Sequence, residues 1–235
     1  MQVLPRNIFF CTVIFLIFLK NHAQQIPDHY QLLYEEDFEG DASLNDFEIS
    51  DSNAWKIGNG KTGQALELAG KSGYNPPVRS PLNIAFIKNK RFGSFILKAD
   101  LQQTGKEYGH RDLCLFFGIK DHTNFYYTHL ASSADPNAHN IFIVNDAPRT
   151  NIASRTTEGI DWGTTKNWHK MRLERDIESG SIKVFLNDMD TPVMEAEDKH
   201  FNFGFIGFGS FDDTGKIDNI KIWGPALAPQ HIGFF

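Results

Sequence analysis

The chain has 235 residues, of which 41% are hydrophobic and 22% are charged, and its formal net charge at pH 7 is −6. The N-terminal segment contains Arg6 and Lys20 and no acidic residues, so the remainder from Gln24 onward carries 21 − 29 = −8. An acidic chain is repelled by nucleic-acid phosphates and by anionic membrane surfaces, and we expect neither as a partner.

The first 23 residues have the features of a secretory signal peptide. Arg6 is followed by an apolar run over residues 8–19, and Ala23 precedes Gln24. The run is shorter than the roughly 20 residues of a transmembrane helix. We therefore predict cleavage near Ala23, a secreted or periplasmic protein without a membrane anchor, and one domain over residues 24–235. That domain contains a single cysteine, Cys114, and so no intramolecular disulfide.

The remaining sequence alternates between short aromatic and β-branched runs and turn-forming Gly, Asn, Asp and Pro. Such runs fit a pleated, half-buried surface and predict strands. In chain order these are Ala54–Ile57, Ala65–Leu68, Val78–Ser80, Phe92–Gln102, Leu113–Ile119, Phe125–Leu130, Asn140–Val144, Trp168–Arg175, Ser181–Leu186, Phe203–Phe211 and Ile217–Trp223. Many short strands with frequent turns predict an all-β sandwich or barrel of antiparallel sheets. The 21 phenylalanines favour two facing sheets with an aromatic core.

Polar side chains are concentrated between Tyr108 and Asn145, in or beside strands that otherwise have the composition of a core. A short polar loop, Lys120–Asn124, separates two of these strands and predicts a β-hairpin. Pairing Gly118 with Phe125 would separate apolar from polar side chains onto opposite faces without a bulge.

This register defines a polar face of the hairpin. It sets Cys114 opposite His129 and Phe116 opposite Tyr127, and the period-two alternation of a strand extends the same face further. The predicted site on this face consists of His110, Asp112, Tyr127 and His129, with Arg111, His139 and Arg149 near its rim.

Four segments carry a resemblance to a known superfamily. They are Asp37–Glu39, Trp168–Arg175, Gly180–Asp188 and Gly204–Trp223. Together they resemble the concanavalin A-like lectin/glucanase jelly rolls, a superfamily that includes laminin-G-like modules. The resemblance spans roughly residues 34–224 and implies an antiparallel two-sheet β-sandwich whose concave sheet grips a sugar chain. The Glu-x-Asp-x-x-Glu and Gln-Ile-His motifs of its glucanase and alginate-lyase branches are absent, so it implies no particular enzyme family.

The same resemblance implies a structural calcium ion where the first strand meets the last. Asp37 and Asp218 occupy the matching positions, and carboxylate oxygens suit this ion. The alternative is that Asp37 only caps a turn. His110, His129 and His139 do not have the spacing of a metal site, and no organic cofactor is expected.

Two functions are compatible with these residues. One is a secreted enzyme that binds a polysaccharide or oligosaccharide in a groove and cleaves it. Lyase chemistry is favoured over glycoside hydrolysis, because hydrolysis needs two flanking carboxyl groups and only Asp112 is a good candidate for the groove. A lyase instead needs a cation, a base and an acid, with His110, Asp112, Tyr127 and His129 as catalytic residues and Arg111, His139 and Arg149 as substrate-binding residues. The alternative is a non-catalytic, lectin-like glycan-binding module. No protein partner is required for either function.

Overall fold

A computed structural model describes residues 26–40 and 43–225. The predicted signal peptide lies outside the described residues. The helix within them is a 3-10 helix, Ser43–Asp46. No helix in the described ranges is long and apolar enough to cross a membrane.

Sixteen β-strands make up the rest of the regular structure in residues 26–40 and 43–225. In chain order they are β1 (Gln31–Glu36), β2 (Phe47–Ile49), β3 (Trp55–Asn59), β4 (Gln64–Leu68), β5 (Asn83–Ile87), β6 (Phe95–Gln103), β7 (Asp112–Asp121), β8 (Asn124–Ala131), β9 (Asn140–Asn145), β10 (Thr150–Asn151), β11 (Ala153–Thr156), β12 (His169–Arg175), β13 (Ser181–Leu186), β14 (Met194–Glu197), β15 (Phe205–Ser210) and β16 (Gly215–Gly224).

The strands form two antiparallel sheets that face each other. The large sheet has nine strands in the order β11-β14-β13-β12-β6-β16-β4-β3, with β1 also paired to β16. The small sheet has seven strands in the order β10-β9-β8-β7-β15-β5-β2. The predicted antiparallel two-sheet sandwich is therefore confirmed.

The space between the sheets is filled by alternate residues of their strands. On β6 of the large sheet, Leu97, Ala99 and Leu101 are buried in this core. On β7 of the small sheet, Leu115 and Phe117 pack against it from the other side. The alternation read from the sequence thus identifies the inner face of both sheets.

The β7–β8 hairpin has the predicted register over most of its length. Cys114 pairs with His129 and Phe116 with Tyr127. Gly118 does not pair with Phe125, however, because a bulge interrupts the ladder between Phe117 and Asp121. Gly118 has a positive φ of 60°, a conformation that glycine adopts at little cost. The bulge shortens the predicted loop to residues 122–123 between the two strands.

The small sheet is buried on its outer face as well. An outer layer of mainly aromatic residues covers this face: Phe86, Cys114, Phe116, Ile119, Phe125, Tyr127, Phe142, Val144 and Phe205. Half-buried Val78 and Ile84 pack against it. An antiparallel sheet in a sandwich usually exposes one face to solvent. Here neither face of the small sheet is an open surface.

The segment Val78–Ser80 is not a strand, contrary to the sequence-based prediction. Pro76, Pro77 and Pro81 surround it, and proline cannot donate a hydrogen bond to a sheet ladder. The segment instead covers the outer layer through Val78, and the next strand begins at Asn83.

We expect Leu97→Ala to lower the free energy of unfolding by about 2–5 kcal/mol, because the fully buried side chain would leave a cavity in the core. The matched control is Leu32→Ala on β1, where the side chain is 47% exposed and the expected change is within about 0.5 kcal/mol. Urea unfolding of the two variants measures the difference, and equal losses would contradict the placement of Leu97.

Candidate functional site

Three of the four residues predicted as catalytic share the outer face of the small sheet. Asp112, Tyr127 and His129 are 0%, 0% and 3% exposed. The Nε2 atom of His129 lies 3.3 Å from Oδ2 of Asp112, and the Tyr127 and His129 ring centroids are 6.4 Å apart. The expectation that they line an open groove is wrong, because the outer layer and the loops above it bury them. Their catalytic role stays a prediction.

His110 does not join these residues. It precedes β7 in a turn and its imidazole is exposed, with Nε2 2.6 Å from Oδ2 of Asp135. The period-two alternation therefore ends at Asp112, where the strand begins.

Arg149 covers the buried polar face, near the position predicted for it. Its guanidinium donates a hydrogen bond of 2.8 Å to the Tyr127 hydroxyl. The same group lies 4.8 Å from the ring centre of Phe142 and 4.4 Å from that of Phe211. Such cation–π contacts stabilise a charge that is partly removed from water. Arg149 thus closes the outer layer above Tyr127 and His129.

His139 is buried and has a positive φ of 51°. Its Nε2 atom lies 2.9 Å from Oγ1 of Thr157, and its Nδ1 atom has no hydrogen-bond partner. Burial lowers the pKa of His139 to about 4, and the neighbouring His129 contributes in the same direction. His139 is therefore neutral at physiological pH and is not exposed to a polysaccharide.

Arg111 lies between the buried face and an open cleft at the end of the sandwich. Its side chain is almost fully buried and donates a 3.3 Å hydrogen bond to the carbonyl of Gly163. The cleft has a volume of about 910 Å³. Its lining comes from Glu107, Tyr108, Gly109, Arg111, Ser132, Ser133, Glu158, Gly159, Ile160, Asp161, Trp162, Gly163, Thr164 and Asn167.

Three connections meet to form this cleft: residues 104–111 between β6 and β7, residues 132–139 between β8 and β9, and residues 157–168 between β11 and β12. Backbone hydrogen bonds join them. The amide of Ser133 donates to the carbonyl of Gly109 at 2.7 Å, and the amide of Ala134 donates to that of Glu158 at 2.8 Å. Both sheets therefore position the cleft, although its residues lie on loops.

The cleft is mainly acidic and has one exposed aromatic ring. Glu107, Glu158 and Asp161 are exposed in its lining, against the single cation Arg111. Tyr108 is 45% exposed, and its hydroxyl donates a 2.7 Å hydrogen bond to Oδ2 of Asp213. These loop residues were not among the candidates from the sequence. The signal that could have found them is the composition of residues 157–168, which contain two Trp, two Gly and three Thr.

Asp213 connects the cleft with the buried face. Its Oδ2 atom also accepts a 3.0 Å hydrogen bond from the backbone amide of Asp112. The pKa of Asp213 is raised to about 7, mainly by burial and also by the nearby negative charge of Asp112, while the hydrogen bond from the Tyr108 hydroxyl lowers it. Asp213 is therefore partly protonated near neutral pH.

The calcium site implied by the resemblance stays a prediction, and the described contacts of its two carboxylates are local. Oδ2 of Asp218 accepts the amide of Lys61 at 3.1 Å, and its Oδ1 accepts the amide of Asn219 at 2.7 Å. Asp37 accepts the amide of Glu39, as a turn cap would. Among the described residues, no group of three close candidate ligands includes Asp37 or Asp218. The local hydrogen bonds favour the structural alternative for both.

Comparison with solved structures confirms the resemblance to the concanavalin A-like lectins at the level of the fold. A carbohydrate-binding module from Bacillus subtilis is 17% identical with a TM-score of 0.53, over 76% of this chain and 96% of the module. Domain 4 of an extracellular arabinanase from Geobacillus stearothermophilus is 14% identical with a TM-score of 0.52, over 86% and 96% of the two chains. A lectin from Griffonia simplicifolia is 13% identical with a TM-score of 0.52, over 80% and 97%. No protein-family model and no curated protein sequence matches the chain.

We expect Gly159→Ala to destabilise the protein and distort the cleft. A Cβ atom at this position would lie 2.1 Å from the carbonyl oxygen of Ser132, and the φ of 142° is unfavourable for alanine. The expected loss is on the order of 1–3 kcal/mol. In the control Gly70→Ala the new Cβ meets nothing within 4 Å. Urea midpoints that fall equally in both variants would contradict the close approach of the two loops.

We expect His139 to make the protein less stable as the pH falls from 6.5 to about 4. Within this window the unfolded chain binds a proton at His139 and the folded protein does not, so acid favours unfolding. The full effect is about 3 kcal/mol, from a lowering of roughly 2.5 pH units. The control His139→Asn tolerates the left-handed backbone and lacks the titrating ring. Urea midpoints measured against pH should fall more steeply in the wild type, and parallel curves would contradict the prediction.

Proposed function

We propose that this protein binds a carbohydrate in the acidic loop cleft and does not cleave it. The observation that carries the proposal is the open cleft itself, because it combines an exposed tyrosine ring with several hydrogen-bonding side chains. It is large enough for a short oligosaccharide, since ligand sites of this kind have volumes of roughly 300–1,000 Å³.

The side chains of the cleft suit a hydroxyl-rich ligand. The carboxylates of Glu158 and Asp161 accept hydrogen bonds, and the Asn167 amide can both accept and donate. The exposed ring of Tyr108 offers an apolar surface for the C–H face of a sugar. Together they provide one stacking platform surrounded by hydrogen-bonding groups.

The charge of the cleft favours a neutral glycan over a uronic-acid polymer. Glu107, Glu158 and Asp161 would repel a polymer that carries a carboxylate on every sugar. The one cation of the lining, Arg111, is almost fully buried and already donates to Gly163. Arg111 therefore supports the loop more than it presents a charge to a ligand.

Binding without cleavage is the better supported of the two functions. A catalytic base must come within hydrogen-bonding distance of the proton that it removes. His129 and Tyr127 are buried beneath Arg149, Phe142 and Phe211, so a polymer outside the protein does not reach them. The lyase mechanism favoured by the sequence depends on these two residues, and we therefore prefer the lectin-like alternative.

The solved structures of similar fold support the same class of function. One is a carbohydrate-binding module, one is a lectin, and the arabinanase domain was solved in complex with arabinotriose. A signal peptide at the N-terminus would deliver a protein of this class to extracellular glycans. We therefore propose export together with glycan binding.

We expect affinity electrophoresis in gels that contain arabinan or galactan to show retardation, and gels that contain polygalacturonate to show none. Tyr108→Ala should weaken retardation by about tenfold, because it removes a stacking contact worth roughly 1.5 kcal/mol, whereas Tyr108→Phe should retain binding. Glu158→Gln should weaken binding to a lesser extent, since the amide still accepts a hydrogen bond.

The control variant is Glu178→Gln, an exposed substitution in the turn at the other end of β12. It should bind as the wild type does. Assays for reducing ends and for unsaturated products should both stay flat with all three polymers. Cleavage of any polymer, or binding that Tyr108→Ala and Glu158→Gln leave unchanged, would contradict the proposal.

A further inference from the structure

A second cluster of chemically versatile side chains lies on the buried outer face of the small sheet. Asp112 and Cys114 alternate along β7, and His129 is the cross-strand partner of Cys114 on β8. All three residues are at most 3% exposed. One candidate ligand atom from each lies within 4.8 Å of the other two.

The hydrogen bonds of His129 determine which of its ring nitrogens is free. Its Nδ1 atom lies 3.1 Å from the carbonyl oxygen of Asn137. Because a carbonyl can only accept, Nδ1 carries the hydrogen, and the neutral ring then presents a lone pair at Nε2. A hydrogen bond from the other ring nitrogen to a carbonyl is the usual arrangement of a metal-binding histidine.

The Nε2 lone pair faces a second acceptor. The Nε2 atom lies 3.3 Å from Oδ2 of Asp112 without the geometry of a hydrogen bond. The Asp112 carboxylate also interacts with the carboxyl group of Asp213. Oδ2 of Asp112 does accept the Phe211 amide at 2.9 Å and the Cys114 thiol at 3.1 Å. Two buried acceptors that face each other are costly unless a cation lies between them.

We propose that Asp112, Cys114 and His129 bind a divalent transition-metal ion, with zinc as the best match. Nitrogen, thiolate and carboxylate ligands are those that zinc prefers, whereas calcium takes only oxygen. A tetrahedral zinc site separates its ligand atoms by about 3.3–3.8 Å, calculated from bond lengths of about 2.0–2.3 Å. The observed nitrogen-to-oxygen separation of 3.3 Å matches this spacing, and the sulfur-to-oxygen separation of 3.1 Å, which is that of the thiol hydrogen bond, would have to widen by a few tenths of an ångström.

Charge balance in the buried site is consistent with this ion. A carboxylate and a thiolate together carry two negative charges, which a divalent cation neutralises, and the imidazole is neutral as a ligand. The alternative is that a proton lies between Nε2 of His129 and Oδ2 of Asp112. It would give a buried ion pair of these two residues and leave Cys114 as a thiol. The two alternatives differ in metal content and in the chemical state of the sulfur.

The test uses the full chain in a Cys11→Ser background, so that Cys114 is the only thiol. Elemental analysis of the purified protein should find about one zinc per chain. Exchange for Co²⁺ should produce a thiolate-to-metal charge-transfer band in the near ultraviolet, and Cys114→Ser should abolish it. The control Phe142→Leu truncates a ring that packs on His129 and removes no ligand, so it should keep the band despite some loss of stability.

If Cys114→Ser fails to fold, the proposal can still be tested on the wild-type protein, in which all three proposed ligand residues are present. Removal of the metal from the wild type with a strong chelator should lower the melting temperature and should make Cys114 accessible to alkylation. Absence of bound metal, absence of a cobalt band, or a melting temperature unchanged by the chelator would each overturn the proposal in favour of the proton-bridged pair. These outcomes are measured without glycan, so they are independent of whether the cleft binds one.

Discussion

The small sheet is buried on both faces, and this constraint decides where the protein can interact with a ligand. Its inner face packs on the large sheet, and its outer face is filled by an aromatic layer that includes Phe116, Tyr127 and Phe142. A sheet that is covered on both sides has no groove for a polymer. Access is left to the loops at the ends of the strands, where binding residues are commonly found on rigid scaffolds. The cleft between residues 104–111, 132–139 and 157–168 is such a place.

The same burial changes what the polar residues of the outer face can do. An exposed histidine and carboxylate can exchange protons with a substrate, but His129 and Asp112 are enclosed. Buried polar atoms require partners, and each one without a partner destabilises the fold by about 1–3 kcal/mol. Arg149 satisfies the Tyr127 hydroxyl and lies over two aromatic rings. Nε2 of His129 lies 3.3 Å from Oδ2 of Asp112 and has no hydrogen-bond partner among the described residues. A cation bound between these two atoms would satisfy both.

The sequence was sufficient to predict the sandwich and most of the central hairpin. Period-two alternation set Cys114 opposite His129, because a slip by one residue would have moved Leu113 and Leu115 out of the core. The bulge at Gly118 was missed, since one extra residue leaves the local pattern almost unchanged. Short edge strands such as β10 and β11 were also missed, because they bury little and carry no apolar alternation.

The candidate site was harder to predict than the fold. Alternation shows which side chains share a face, but not whether distant segments cover that face. Arg149 and Phe211 are separated by about 60 positions in the chain and still meet above His129. The residues of the cleft are likewise brought together by backbone hydrogen bonds between loops, which follow from tertiary packing and have no periodic signature. Only Arg111 among the predicted residues lines the cleft.

Asp213 brings the two proposed sites into contact. One of its carboxylate oxygens accepts both the Tyr108 hydroxyl from the cleft and the amide of Asp112, one of the three proposed metal ligands. A sugar that stacks on Tyr108 would fix the orientation of this hydroxyl, and a metal on Asp112 would fix the backbone and charge on the other side of Asp213. Coupling between two binding sites is reciprocal, so each ligand would change the affinity of the other by the same factor.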